Sequence, residues 1–243
     1  MSKIYVIGIG PGSAIDMTQR AREAINASDI VMGYSTYVEL IKDEFKDKEF
    51  ISSGMRQEIE RCEEVLKIAE NGKTVALISS GDSGVYGMAG IMLEVMKREK
   101  NNIEVEIIPG VTSASASAAL LGAPLMHDFA VISLSDLLTP WKKIEERLEM
   151  ASKGDFVICL YNPKSKNRST YINIARDIML KHKSEETPVG IVRNVGRNGQ
   201  SSIIASLKTM LDYEIDMFTT IIVGNSNTYV ADGKMITPRG YEI

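Results

Sequence analysis

Cysteine is almost missing from this chain: Cys62 and Cys159 are the only two in 243 residues. One pair so far apart makes neither a disulfide framework nor a metal motif. The expectation is two buried free thiols in a reducing compartment. Histidine is as scarce, with His127 and His182 the only imidazole bases. A surplus of positive charge is absent too: 28 basic against 32 acidic residues leave a formal net charge of -4. That balance excludes a global attraction to nucleic acid or to an anionic membrane, so an anionic ligand must meet a local basic patch. No stretch approaches the ~20 apolar residues of a membrane span. The first apolar run is broken too soon by glycine and proline to be a signal peptide, and a cytoplasmic protein is expected. Internal repeats and low-complexity linkers are missing as well, so the domains are expected to pack closely.

What the sequence does have is an α/β rhythm. At this length roughly 70–75% of the unfolded surface can be buried, enough for one large or two modest domains. Up to about residue 115, short β-rich runs such as "KIYVIGI", "DIVMG", "KTVALIS" and "IEVEIIP" alternate with helical periodicity. The clearest helix follows Met55, with Ile59, Cys62, Leu66 and Ala69 at helical spacing and Gly72 as its stop. Right-handed crossovers lay such strands into a mainly parallel sheet with helices on both faces. The small-residue stretch "GVTSASASAALLGAP" reads as a junction. Beyond it "FAVISL", "DFVICLY", "PVGIVRN", "SSIIAS" and "FTTIIVG" follow with fewer helices per strand, which predicts a mixed sheet. The fold class is therefore α/β with two α/β domains, 1–115 and 116–243.

Glycine clusters fall at the ends of the predicted strands, where the backbone must turn tightly or approach a ligand closely. The opening loop, "IYVIGIGPGSAIDMT", places Gly8 and Gly10 as a dinucleotide fingerprint would but has Ser13 at the third position. It also offers no carboxylate at the end of the second strand. Nothing matches a Walker phosphate loop either. "SSGDSGVYGMAG" follows a buried strand and opens a helix, which argues against the all-β proteases that share "GDSG". A purely structural turn and a ligand loop both remain open there. In "PGVTSAS", Thr112 or Ser113 can cap a helix, or hold a carboxylate or an adenine edge. "LYNPKSKNR" and "IVRNVGRNG" carry Lys164, Lys166, Arg168, Arg193 and Arg197, either as solvated surface or as a site for a polycarboxylate. His127 is followed at once by Asp128, which cannot face it along a strand, so packing and catalysis both stay open.

Taken in order, "VIGIGPGS", "SSGDSGVYGMAG", "IPGVTSASASAALLGAPL", "LYNP" and "PVGIVRN" resemble the tetrapyrrole methylase family over nearly the whole chain. "GMRQEIERC", "LMHDFAVISLSDLLTPW" and "YNPKSKNR" are similar to its precorrin-3B C17-methyltransferase branch, which in anaerobic pathways acts on cobalt-factor III. The resemblance implies S-adenosylmethionine as cofactor, folded in a cleft between two α/β domains, a tetrapyrrole substrate, and a homodimer. It implies that Gly10 and Gly12 border the substrate trough while Pro11 touches the cofactor. Further cofactor contacts implied in the same way are Gly81, Asp82, Val85, Thr112, Ser113, Tyr161, Asn162 and Val195. The branch also contracts the macrocycle, which needs proton movement, and His127 and Asp128 are the acid–base candidates. Arg56, Lys164, Lys166, Arg168, Arg193 and Arg197 are candidates for holding substrate carboxylates. No metal site of the protein's own is expected. The rival readings are a sister methylase acting at another ring carbon, on a diphthine intermediate or on rRNA, and a carrier that binds without turnover.

Overall fold

The computed structural model describes residues 2–165 and 168–242. The chain divides into two compact units, Met1–Ser113 and Ala114–Ile243, just ahead of the boundary expected at residue 115. Among the described residues no helix is long and apolar enough to cross a membrane.

The first unit strings strands β1 (Lys3–Gly8), β2 (Ile30–Tyr34), β3 (Glu49–Ser53), β4 (Val75–Ser79) and β5 (Glu104–Ile108) between helices α1 (Gln19–Ala27), α2 (Ser35–Ile41), α3 (Glu58–Glu70) and α4 (Ala89–Arg98). Every pairing in its sheet is parallel, in the order β3-β2-β4-β1-β5. Alternation along the strands separates two cores. Ile4, Val6, Met32, Val75 and Leu77 pack beneath α3 and α4, while Ile7, Val31, Ala76, Ile78 and Ile108 pack beneath α1 and α2. Helix α1 starts where the Thr18 hydroxyl accepts the Ala21 N–H at 3.1 Å, a side-chain cap for an otherwise unpaired donor. Helix α3 stops at Gly72, whose φ of +88° suits a residue without a Cβ. Its buried face differs from the expected one. Ile59 is 52% exposed and Arg61 is turned inward beside Cys62, Val65, Leu66 and Ala69.

The second unit comprises α5 (Ser113–Leu121), β6 (Gly122–Ala123), β7 (Phe129–Ser133), α6 (Trp141–Lys153), β8 (Val157–Tyr161), α7 (Tyr171–Met179), β9 (Pro188–Arg193), β10 (Ser201–Ser206), β11 (Thr219–Val223), β12 (Tyr229–Ala231) and β13 (Lys234–Ile236). Its main sheet runs β10-β9-β11-β8-β7, with β7 and β8 parallel and the other neighbours antiparallel. A small sheet, β12-β13-β6, was not legible in the sequence, because its strands hold two or three residues each. One face of the main sheet packs Ile158, Leu160, Val189 and Ile221 against α6 and α7. The other packs Val157, Cys159, Val192 and Ile222 against α5. Gly190 lets α5 come close, since a Cβ there would collide with the Leu121 side chain.

Candidate functional site

Three strand ends meet in the first unit through main-chain contact. After β1, Ile9 N–H donates to Ser79 O at 2.9 Å, and Gly10 and Gly81 exchange both backbone bonds at 3.1 and 2.7 Å. A Cβ on Gly8 would lie 2.6 Å from Gly81 O and 2.7 Å from Gly110 N, closer than real Cβ contacts allow. Gly8 and Gly110 are therefore as necessary to this crossing as Gly10 and Gly81. The sequence marks Gly110 only by its place after Pro109 at a strand end.

Side chains then stitch the β4–α4 turn to the end of β5. Asp82 Oδ2 accepts the Gly110 N–H at 2.9 Å and Oδ1 accepts the Gly84 N–H at 2.8 Å. Ser83, fully buried, donates to Ile108 O at 3.1 Å, and Ser79 Oγ accepts the Met88 N–H at 3.1 Å at the start of α4. The serine of "GDSG" is thus a structural tie without solvent access, which removes the hydrolase reading. Gly81 adopts φ +70°, and a Cβ built on it would find its first neighbours at 3.7 Å from Thr112 Cα and 3.8 Å from Ser113 N. The main chain at 81 accordingly lies close to that at 112–113. Pro11 is buried, Gly12 and Val85 are half-buried, and Gly10 is buried beside them in the chain.

In the second unit the carboxyl ends of β7, β8 and β9 share one edge of the sheet. Tyr161 Oη accepts the Ala114 N–H at 2.8 Å, so a tyrosine from β8 serves the first turn of α5. Asn162 follows at φ +52° with its amide donating to Ser133 Oγ at 2.9 Å, and Asn194 repeats the left-handed conformation after β9. Val195 lies buried against α5, in the cluster with Ala114 and Ala118.

The basic candidates separate into two groups. Arg168 Nη1 donates to Leu134 O at 3.0 Å and Nε to Ser165 Oγ at 3.2 Å, with Asp136 3.8 Å away. Asp136 in turn accepts from Tyr171 Oη at 2.7 Å. Arg193 bridges Asp216 at 2.7 Å and Glu214 at 2.8 Å. Both guanidiniums are already engaged within the fold. Arg197 lies over the Phe218 ring at 5.9 Å. Arg56 is exposed at φ +65°, Lys164 is half-buried, and neither makes an ion pair among the described residues. Lys166 lies outside the described residues.

His127 and Asp128 stand just before β7, at the opposite end of the strand from Ser133. The parallel register pairs Phe129 with Val157 and Ser133 with Tyr161, so the pair stands five to six residues, roughly 17–20 Å, from the Tyr161 edge. His127 is half exposed, and its Nδ1 accepts the Asp128 N–H at 3.0 Å. A second-unit cavity of about 470 Å³, lined by Leu120, Leu121, Pro188 and Ile204 among others, contains none of the candidate residues. The thiols of Cys62 and Cys159 are pushed up to about 12, mainly by burial, and offer no nucleophile. Among the described residues no group of three His, Cys, Asp or Glu is placed to hold a metal ion.

Known proteins resemble this chain along nearly its whole length. A Salmonella typhimurium protein named probable cobalt-factor III C(17)-methyltransferase is 53% identical over 241 residues, covering 99% of this chain and 100% of that one. A Priestia megaterium protein named cobalt-factor III methyltransferase is 52% identical over 244 residues, and this chain, matched over 99% of its length, spans only 45% of that longer relative. The crystal structure of the methyltransferase CobJ superposes with a TM-score of 0.91 at 32% identity, covering 98% of this chain and 100% of that one. A family model described as tetrapyrrole (corrin/porphyrin) methylases matches residues 3–211. With a family model over most of its length and relatives at this identity, the chain belongs to the tetrapyrrole methylase family.

Proposed function

We propose that this protein is an S-adenosylmethionine-dependent C-methyltransferase of corrin-ring biosynthesis, acting at C17 of cobalt-factor III or precorrin-3B with contraction of the ring. The observation that carries this reading is the end-to-end match, at 53% identity, to a relative of the same length bearing that name. The residues fit the donor. Gly81 leaves open the space that a Cβ would fill, within reach of the main chain at Thr112 and Ser113. In this reading Pro11, Gly81, Asp82, Val85, Thr112, Ser113, Tyr161, Asn162 and Val195 are the donor's contacts. The bound donor supplies a methyl group on a positively charged sulfur, transferred to a ring carbon in one displacement.

The chain's own task is alignment. Main chain braced on main chain has no rotamers to order, and a fixed geometry accounts for up to about 7–11 kcal/mol of barrier reduction in well-oriented reactions. Asp82 acts through its grip on the Gly84 and Gly110 N–H groups, which fixes the shape of the donor surface. Displacement at a sulfonium asks for no side-chain nucleophile, and buried Ser83, Cys62 and Cys159 offer none. Gly10 and Gly12 border the pigment, and Arg56 and Lys164, which have no ion pair among the described residues, are the cations for its carboxylates. We assign the proton transfers of ring contraction to no residue. His127 and Asp128 lack the enclosure that tunes a general acid or base.

The test is incubation with S-adenosylmethionine and cobalt-factor III, followed by mass spectrometry and an absorption spectrum. One added methyl with an altered chromophore is the expected result. Bound pigment of unchanged mass overturns the enzyme reading in favour of a carrier, and a methyl added without the spectral change points to a sister methylase.

A further inference from the structure

Arg61 is an anomaly in the first unit. It sits on the core face of α3, 3% exposed, next to Cys62, Val65 and Leu66. Burying a guanidinium is costly unless an opposite charge accompanies it, and a well-packed hydrophobic side chain in its place is often neutral or stabilising. Arg61 has no such companion among the described residues. Its Nε donates to Ser53 Oγ at 2.6 Å, its Nη2 to Gly54 O at 2.8 Å, and its Nη1 lies 3.6 Å from Met88 Sδ. Every partner is neutral, and every one lies at a strand-end loop. Ser53 closes β3, Gly54 opens the turn that follows it, and Met88 precedes α4 at the end of the glycine-rich turn after β4.

The turn held in this way is small and closely determined. The Gln57 side chain accepts the Gly54 N–H at 2.8 Å, Arg61 takes the Gly54 carbonyl, and between them Arg56 adopts φ +65°. A non-glycine residue in the left-handed region is strained and persists only where its surroundings over-determine it. Met55 and Arg56 are exposed at the tip, and Arg56 has no ion pair of its own among the described residues.

We propose that Arg61 is a positioning residue, a buried fork that clamps the 54–57 turn to β3 and to the start of α4 so that Arg56 is presented to a carboxylate of a polyanionic substrate. The inference rests on the methyltransferase reading only for the identity of that substrate. Arg61 itself touches neither substrate nor donor. It acts through the backbone that carries Arg56, and its uncompensated charge is retained because only a planar fork reaches a hydroxyl, a carbonyl and a thioether at once.

The experiment compares Arg61→Met, Arg61→Lys, Arg56→Gln and the Arg61→Met/Arg56→Gln double variant in the full chain. Amide hydrogen exchange without ligand is expected to quicken at residues 54–57 in Arg61→Met while thermal stability holds or rises. With cobalt-factor III, KM is expected to rise roughly tenfold, kcat and S-adenosylmethionine affinity to change less than about threefold, and Arg61→Lys to recover part of the KM. On the Arg56→Gln background the further effect of Arg61→Met shrinks to under about twofold, because both act through one contact. Unchanged exchange in the turn overturns the clamp. So do KM effects that multiply in the double variant, or a parallel loss of stability, kcat and KM in both Arg61 variants. If the wild-type protein does not convert cobalt-factor III, the functional reading fails, and the exchange measurement decides the clamp independently.

Discussion

The two units solve the same problem, holding loops at the carboxyl ends of strands, by different means. In the first, β1, β4 and β5 end in glycines whose main chains touch, and the Asp82 carboxylate ties two of the loops together. In the second, side chains reach across: Tyr161 to α5, Asn162 to Ser133, Arg168 to the segment after β7, and Arg193 to Asp216. A main-chain brace is rigid and intolerant of any added atom. A side-chain brace that carries charge, as at Arg193, can be loosened by pH.

The sharpest break of that contrast is Gly8→Ala. Its Cβ would meet backbone atoms that cannot rotate away, and a loss of about 3 kcal/mol or more is expected in denaturant unfolding of the first unit. Asp82→Ala comes next, with about 1–2 kcal/mol lost as two N–H groups lose their acceptor. Isothermal titration should show weaker S-adenosylmethionine binding in the same variant.

A smaller, pH-dependent effect belongs to the second unit. Burial pushes the Asp216 carboxyl upward, but hydrogen bonds from the Thr219 hydroxyl, the Phe218 N–H and Arg193 outweigh it, so the group lies below its ordinary value. A depressed carboxylate stabilises the fold above its unfolded pKa of about 3.9, and that contribution is lost as pH falls through the lower folded value. Acid unfolding of Asp216→Asn should accordingly be less steep below about pH 4 than that of the wild type. The smallest effect is expected for His127→Ala, which should leave methylation and contraction within about twofold of wild type, since the ring is half exposed at the amino end of β7. A contraction defect with intact methylation would restore the acid–base role that the sequence offered.

The sequence made the α/β alternation legible because period-2 and period-3.6 patterns mark strands and helices directly. It showed the glycine loops for the same reason, since Gly10 and Gly81 sit where strands stop. It could not show engagement. Arg168 and Arg193 read as free cations because their partners, Leu134 O, Asp136, Glu214 and Asp216, lie far off in the chain. Arg61 was invisible for the opposite reason. A charged residue beside Ile59 on a helical pattern reads as solvent-facing, and only tertiary contacts invert the two.

The buried thiols have a practical consequence. Cys62 and Cys159 fall one in each unit, both shielded and both held far from thiolate at neutral pH. A thiol reagent such as dithionitrobenzoate will therefore ignore the native molecule and react only where a unit has opened. With one cysteine replaced by alanine at a time, the chain carries a built-in clock for the unfolding of either half.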